Sequence, residues 1–254
     1  MASDTTVLIT GVNRGIGLHL FRTYLARPRH TVIGAVRDPS APASQSLLSV
    51  PTGANSQAII VKIDSASLTD AAAAIHTLQT THAITHLDLV IANAGIQTAL
   101  PWVRDVTPAD LSSHYAINVI GPVVLFQATL PLLEAAATAG GPPPKFVTVG
   151  SAGGSIGLMG HLPFPNAAYG PAKAALHYLT RKVHVEHPRL VAFPVDPGWT
   201  KSDMGNEAAK KFGREEAQVE LADSVAGLVR VIDDATREKT SGRLMVWDGS
   251  ELPW

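Results

Sequence analysis

Cysteine is missing from the chain, which excludes both a disulfide framework and a thiolate metal site. Charge is scarce and balanced: Asp, Glu, Lys and Arg make up 16% of the residues, the formal net charge is -1, and no run of like charges occurs. Neither nucleic acid nor an anionic membrane surface is therefore an expected partner. The opening "MASDTTVLIT" lacks the basic segment and long apolar stretch of a signal peptide. The longest apolar tract, "VIGPVVLFQATLPLL" from Val119, is interrupted by Pro122, Gln127 and Pro131 and is expected to fall short of a membrane span. These absences point to a soluble cytoplasmic protein. The ten histidines lack carboxylate neighbours at ligand spacing: His76, His82 and His86 bracket a helix end, and His184 and His187 are three apart. They read as solvated helix-end residues, and no metal is expected.

What the chain does have is apolar bulk, 46% hydrophobic residues over 254 positions, enough for one sizeable core spanning 1–254. Short β-branched runs recur: "TTVLIT", "TVIGAV", "QAIIVKI", "LDLVIA", "KFVTVG", "LVAFPV" and "RLMVW". Between them, helical spacing covers 15–26, 68–80, 108–137, 167–186 and 220–232. Continuous apolar strands suit burial on both faces. The alternation predicts a single-domain α/β fold, a Rossmann-type doubly wound parallel sheet of about seven strands with helices on both faces. A Pro- and Ser-rich stretch from Asp38 predicts a loop with at most a short helix, and the polar, glycine-punctuated segment 198–217 after a strand is a candidate substrate lid.

"LITGVNRGIGLHL" sets Gly11, Gly15 and Gly17, with Asn13, Arg14 and Ile16 between them, after the first strand and at a helix start. Such glycines permit a strained turn and close backbone approach, while the helix N-terminus attracts phosphate. The stretch "NAAYGPAKAAL" spaces Tyr169 and Lys173 four apart, on one side of a helix. A tyrosine titrates near ~10, and a neighbouring ammonium favours its ionised form. With Asn166 near the N-cap, Gly170 and Pro171 fall in the first turn, where proline costs little.

The Gly-x-x-x-Gly-x-Gly spacing after Thr10 resembles the short-chain dehydrogenase/reductase family. "NAG" at 93–95, "INVIGP" with Asn118, "VGSAGG" with Ser151, "YGPAK" and "DPGWTKSDMG" follow in the family's order over nearly the whole chain. "ITGVNRGIG", "DPGWTKSDMG" and "DGSELPW" further resemble its C-factor-like carbonyl reductase branch and the norsolorinic acid ketoreductase-like fungal members.

The resemblance implies that Tyr169 donates a proton, Lys173 lowers its pKa and holds the nicotinamide ribose, Ser151 binds the substrate oxygen, and Asn118 anchors a water relay. It places Asp64 at the adenine, Asn93, Ala94 and Gly95 along the adenine ribose, Pro197 and Gly198 under the nicotinamide, and Thr200 and Ser202 near the carboxamide. Where NAD-binding chains carry an acid after the second strand, this one has Val36 and then Arg37; with Arg14 this favours NADP(H) over NAD(H). Asp38 reads as a turn residue facing solvent.

The loop with Gly153, Ile156, Leu158, Met159, His161, Leu162, Pro163 and Phe164, together with Trp102 and Trp199, offers apolar surface for a hydrophobic, aromatic or polyketide-type ketone. The expected activity is NADPH-dependent ketone reduction. Oxidation of an alcohol by the same residues and a non-catalytic NADP(H) sensor or scaffold are the alternatives. The resemblance also implies a homodimer or homotetramer, formed by the helices that begin near Pro108 and Ala167.

Overall fold

Among the described residues eight strands form one sheet; seven run parallel, and each of the first six is followed by a segment that crosses one face of the sheet. The computed structural model describes residues 4–138 and 140–254. The strands are β1 (Thr5–Thr10), β2 (His30–Val36), β3 (Gln57–Lys62), β4 (Leu89–Ala92), β5 (Lys145–Val149), β6 (Val191–Asp196), β7 (Leu244–Val246) and β8 (Glu251–Leu252). They lie in the order β3-β2-β1-β4-β5-β6-β7-β8. The eighth strand exceeds the seven expected: Asp248 accepts from the Ser250 N–H and hydroxyl, Gly249 takes φ 95, and the chain returns antiparallel to β7.

The helices are α1 (Gly15–Leu25), α2 (Pro42–Gln45), α3 (Asp70–Thr81), α4 (Pro108–Tyr115), α5 (Gly121–Thr138), α6 (Tyr169–Glu186), α7 (Asp203–Lys211) and α8 (Leu221–Asp233). Alternate side chains of each buried strand serve opposite cores. Val7 and Ile9 join Phe21, Leu25, Phe193, Leu228 and Ile232 on one face. Leu8 joins Ile33, Val90, Phe146, Leu78, Leu125 and Leu133 on the other.

Several local expectations change. Residues 108–138 form α4 and α5 joined through a π-helical turn, Ala116–Ile120, and pass through Pro131 without ending. This 31-residue segment is, by length and composition, apolar enough to cross a membrane, contrary to the sequence expectation; 50% of its most apolar window is buried inside the fold. The proposed lid segment contains α7, nine residues capped by the Ser202 side chain. His184 and His187 are half-buried instead of fully solvated: Nδ1 of His184 meets the Ser241 hydroxyl at 2.7 Å, and His187 packs edge-on against Phe126.

Phe193 is fully buried in central strand β6. Phe193→Ala should lower the unfolding free energy by about 3–5 kcal/mol, read as a lower urea midpoint; a loss below ~1 kcal/mol would show that this core collapses around the cavity.

Candidate active site

Strand order reverses between β1 and β4, and at such a switch point the loops diverge and leave a crevice at the C-terminal strand ends. The crevice is pinned there. The Asn93 amide donates to the carbonyls of Thr10 at 2.8 Å and Gly11 at 3.3 Å. In return the Thr10 hydroxyl accepts the N–H groups of Asn93 and Ala94. Gly11 and Gly15 take φ of 71 and 55, the left-handed region that favours glycine. A Cβ on Gly17 would lie 2.2 Å from the Gly11 carbonyl oxygen, so only glycine lets α1 seat against its own entry turn.

A 390 Å³ cleft runs from Arg37, Asp38 and Asp64 past the glycine turn and Asn93–Gly95 to Tyr169, Lys173, Pro197 and Ser202. Asn13, Arg14 and Ile16 line it too. Thr200 and Gly198 do not: the Thr200 hydroxyl is spent on the Pro197 carbonyl and Ser224, and both residues line the neighbouring cavity instead. Ser202 Oγ accepts the Gly205 N–H as N-cap of α7, which turns that helix start toward the cleft. Asp38 is exposed, with its carboxylate occupied by the Ser40 N–H and hydroxyl. Asp64 accepts the Ala66 N–H, and Ser67 rather than Asp64 takes the first-turn N–H of α3. Arg14 forms an exposed ion pair with Asp203 at 3.1 Å.

A second cavity of 230 Å³ opens beside the first and shares Ile16, Gly150, Tyr169, Pro197, Ser202 and Met204 with it. Ser151, Gly153, Phe164 and Trp199 line it, as do Gln97, Leu100, Asp196 and Phe212, which the sequence did not single out. Phe164 stacks on Phe212 at 4.9 Å between ring centroids, and Trp199 meets Phe212 edge-on, closing one wall with aromatic surface. Met159 and His161 are exposed outside this lining, turned away through the 3-10 turn Met159–His161, and Trp102, on the segment after β4, is exposed as well.

The four chemistry-bearing residues converge from three elements: the π-turn, the end of β5 and helix α6. Asn118 sits buried in the π-turn and exchanges two hydrogen bonds with the backbone of Ile96, one through its oxygen and one through its nitrogen, which leaves a second amide N–H to give. Ser151 Oγ accepts the Gly153 N–H at 3.1 Å, leaving its own proton to give. Lys173 is buried; its Nζ donates to the Val149 carbonyl at 2.7 Å and lies 5.5 Å from the Tyr169 ring centre. Burial pulls its pKa down to about 8 against the opposing charge of Asp196. Tyr169 moves away from neutrality, contrary to the sequence expectation: burial pushes it up to about 12, outweighing a hydrogen bond with Ser151. Asp196, buried at the end of β6, is raised to about 6 by burial despite hydrogen bonds from the Ala152 and Gly198 N–H groups.

Helix α6 starts at Tyr169 with Ala168 at the N-cap, so Asn166 is not the cap; its amide donates to the Gly153 carbonyl. Gly170 and Pro171 do fall in the first turn. Gly170 is small because a Cβ there would meet Asn166 and the Gly153 carbonyl, not because of the cleft. Among the described residues no group of three or more His, Asp or Glu could hold a metal ion.

The donors suit a nicotinamide dinucleotide: a helix N-terminus and glycine turn for the pyrophosphate, and an ammonium beside the junction of the two cavities. The short chain dehydrogenase model matches residues 5–213. The chain is 40% identical to norsolorinic acid ketoreductase of Aspergillus parasiticus over 99% of its own length and 92% of that protein. It is 42% identical to the norsolorinic acid ketoreductase of Dothistroma septosporum, over 98% and 92% respectively. Among solved structures it resembles the NADPH-bound carbonyl reductase from chicken fatty liver, with a TM-score of 0.85, 28% identity and 100% coverage of both chains. The chain therefore belongs to the short-chain dehydrogenase/reductase family, the NAD(P)-dependent oxidoreductases that act on carbonyl or hydroxyl groups.

Proposed function

We propose that this protein is an NADPH-dependent ketoreductase acting on a hydrophobic, aromatic or polyketide-type ketone, with Tyr169 as proton donor. The observation that carries this reading is the place of Tyr169 at the junction of the two cavities, beside Ser151 and Lys173. When bound, the nicotinamide would supply the hydride. Ser151 donates its free proton to the carbonyl oxygen, holding the substrate toward Tyr169. Tyr169, kept protonated by burial, gives its proton to the oxygen as negative charge builds there. Lys173 holds the nicotinamide ribose, and its ammonium steadies the tyrosinate left behind. Asn118, by fixing Ile96, keeps the neighbouring wall and an attached proton relay in place.

Arg14 and Arg37 would take the 2′-phosphate of NADPH in paired hydrogen bonds, with the Asp38 carboxylate held by Ser40. Asp64 and Asn93–Gly95 would hold the adenosine, and Pro197 and Ser202 the nicotinamide end. The aromatic wall of Phe164, Trp199 and Phe212 supports a hydrophobic substrate, and the relatives named norsolorinic acid ketoreductase add weight to it. Residues 198–217 act as its lid. Leu111 and Tyr115 on α4 and Tyr178 and Val185 on α6 leave apolar surface exposed, which supports a homodimer or homotetramer through these helices. A cytoplasmic setting and a place in secondary metabolism complete the reading.

Tyr169→Phe should bind NADPH within about twofold of wild type and lose at least ~100-fold in kcat with aromatic ketones; undiminished turnover would remove Tyr169 from its role. Replacing Arg14 and Arg37 by Ala should cost about 10–100-fold in kcat/KM for NADPH and leave that for NADH nearly unchanged. A wild type that prefers NADH would overturn the assignment of both arginines.

Lys173 also marks stability. Its folded pKa of about 8 lies below the ordinary value of 10.5. As pH falls through that interval, the unfolded chain takes up a proton that the folded one refuses, and stability drops. Urea titrations should show the stability of Lys173→Met, relative to wild type, improving by on the order of 1–3 kcal/mol from the top of that interval to the bottom. A constant difference would mean that the ammonium is not desolvated.

A further inference from the structure

We propose that His177 is a positioning residue for Ser151, its Nε2 accepting the Ser151 backbone N–H and thereby fixing the direction of the hydroxyl offered to the substrate. The inference rests on the ketoreductase reading for its catalytic consequence, though not for the contact itself.

Helix α6 repeats Tyr169, Lys173 and His177 at four-residue spacing, so all three project toward the end of β5. His177 lies one turn beyond the lysine and lines neither cavity, so it touches neither cofactor nor substrate. Its Nε2 stands 3.2 Å from the Ser151 nitrogen.

Two features show that this contact is built in. Residue 150 is glycine, and a Cβ there would sit 2.8 Å from Nε2, pushing the ring off the amide. The accepting role of Nε2 also puts the ring proton on Nδ1. That atom is buried without a hydrogen-bond partner. The ring thus leaves a donor unmatched while keeping its acceptor on Ser151. Burial and the nearby Lys173 charge hold its pKa down to about 3, so it remains an acceptor at neutral pH.

The rest of the serine turn is held to match. Asp196 takes the next amide, that of Ala152, and Ser151 Oγ takes the Gly153 N–H. With three successive amides committed, the backbone that carries the Ser151 hydroxyl is held in place. Trp254 backs the imidazole edge-on at 6.3 Å, with Arg181 over its indole, so the ring has little room to rotate away.

The test compares His177→Leu, of similar bulk without an acceptor, with His177→Gln, whose side-chain oxygen can reach the amide. With an aromatic ketone, Leu should lower kcat about tenfold, with KM and NADPH affinity within ~twofold, and Gln should recover to within ~threefold of wild type. Full activity in the Leu variant, or equal losses in two variants that melt like wild type, would overturn the proposal. Amide exchange reads the contact without turnover: Ser151 should exchange about tenfold faster in the Leu variant and remain protected in the Gln variant. Unchanged exchange in the Leu variant would overturn it. Should the Leu variant not fold, the nitrogen resonances of wild-type His177 decide. An Nδ1–H tautomer with a bare Nε2 supports the contact, and a protonated Nε2 refutes it. A wild type that oxidises no NADPH with any carbonyl would defeat the ketoreductase reading, while the exchange and resonance measurements still decide whether His177 holds Ser151.

Discussion

Where the strand order reverses, the Asn93 amide donates to the Thr10 carbonyl and the Thr10 hydroxyl accepts two amides in return. Two parallel strands whose crossovers leave in opposite directions would otherwise separate at their ends. This reciprocal knot holds those ends together. The floor of the long cleft is thereby rigid before any ligand arrives, and the left-handed glycines above it have a fixed base from which to turn into α1. Loss of the knot would leave the glycine turn without a reference for its shape.

The second cavity depends on a different economy. Lys173 and Asp196 are both buried, and each is drawn toward its neutral form, because an interior that excludes water favours charge only where partners are close. A core chosen for stability alone would hold apolar residues there. The retained polarity concentrates ionisable groups beside Tyr169, where the proposed proton transfer would use them, and it makes the site a local cost that the two hydrophobic cores offset.

The strands β1 to β7, the five long helices and the glycine turn were legible because each follows from local spacing. The spacing of four set Tyr169 and Lys173 on one side of a helix without reference to remote contacts, whereas Asn118 and Ser151 were legible only through the resemblance of their motifs to the family's. The π-turn at Asn118 was not legible: it depends on how α4 and α5 seat together. Helix α7 was hidden because its polar residues lack a long apolar stripe, and it is held by Ser202 at its start and by packing at its end. Met159 and His161 were assigned to the pocket on loop membership alone, and the 3-10 turn at 159–161 points that loop elsewhere; Trp102, assigned from its place after the fourth strand, is exposed. Asp196 and His177 looked like an ordinary turn acid and helix residue; only three-dimensional proximity to the serine turn distinguishes them.

The sheet ends at β8, two residues long and followed by Pro253, which has no backbone N–H to offer a further strand. Its opposite border, β3, exposes Gln57 and Lys62 at its two ends, with Lys62 held by Asp70 across the first turn of α3. The β8 border is too short, and too soon stopped by proline, to template a further strand. The β3 border keeps Ala58, Ile59, Ile60 and Val61 between its polar ends, so strand addition is opposed there by the residues that frame it, and β3 is the margin at which an added strand would have most to pair with.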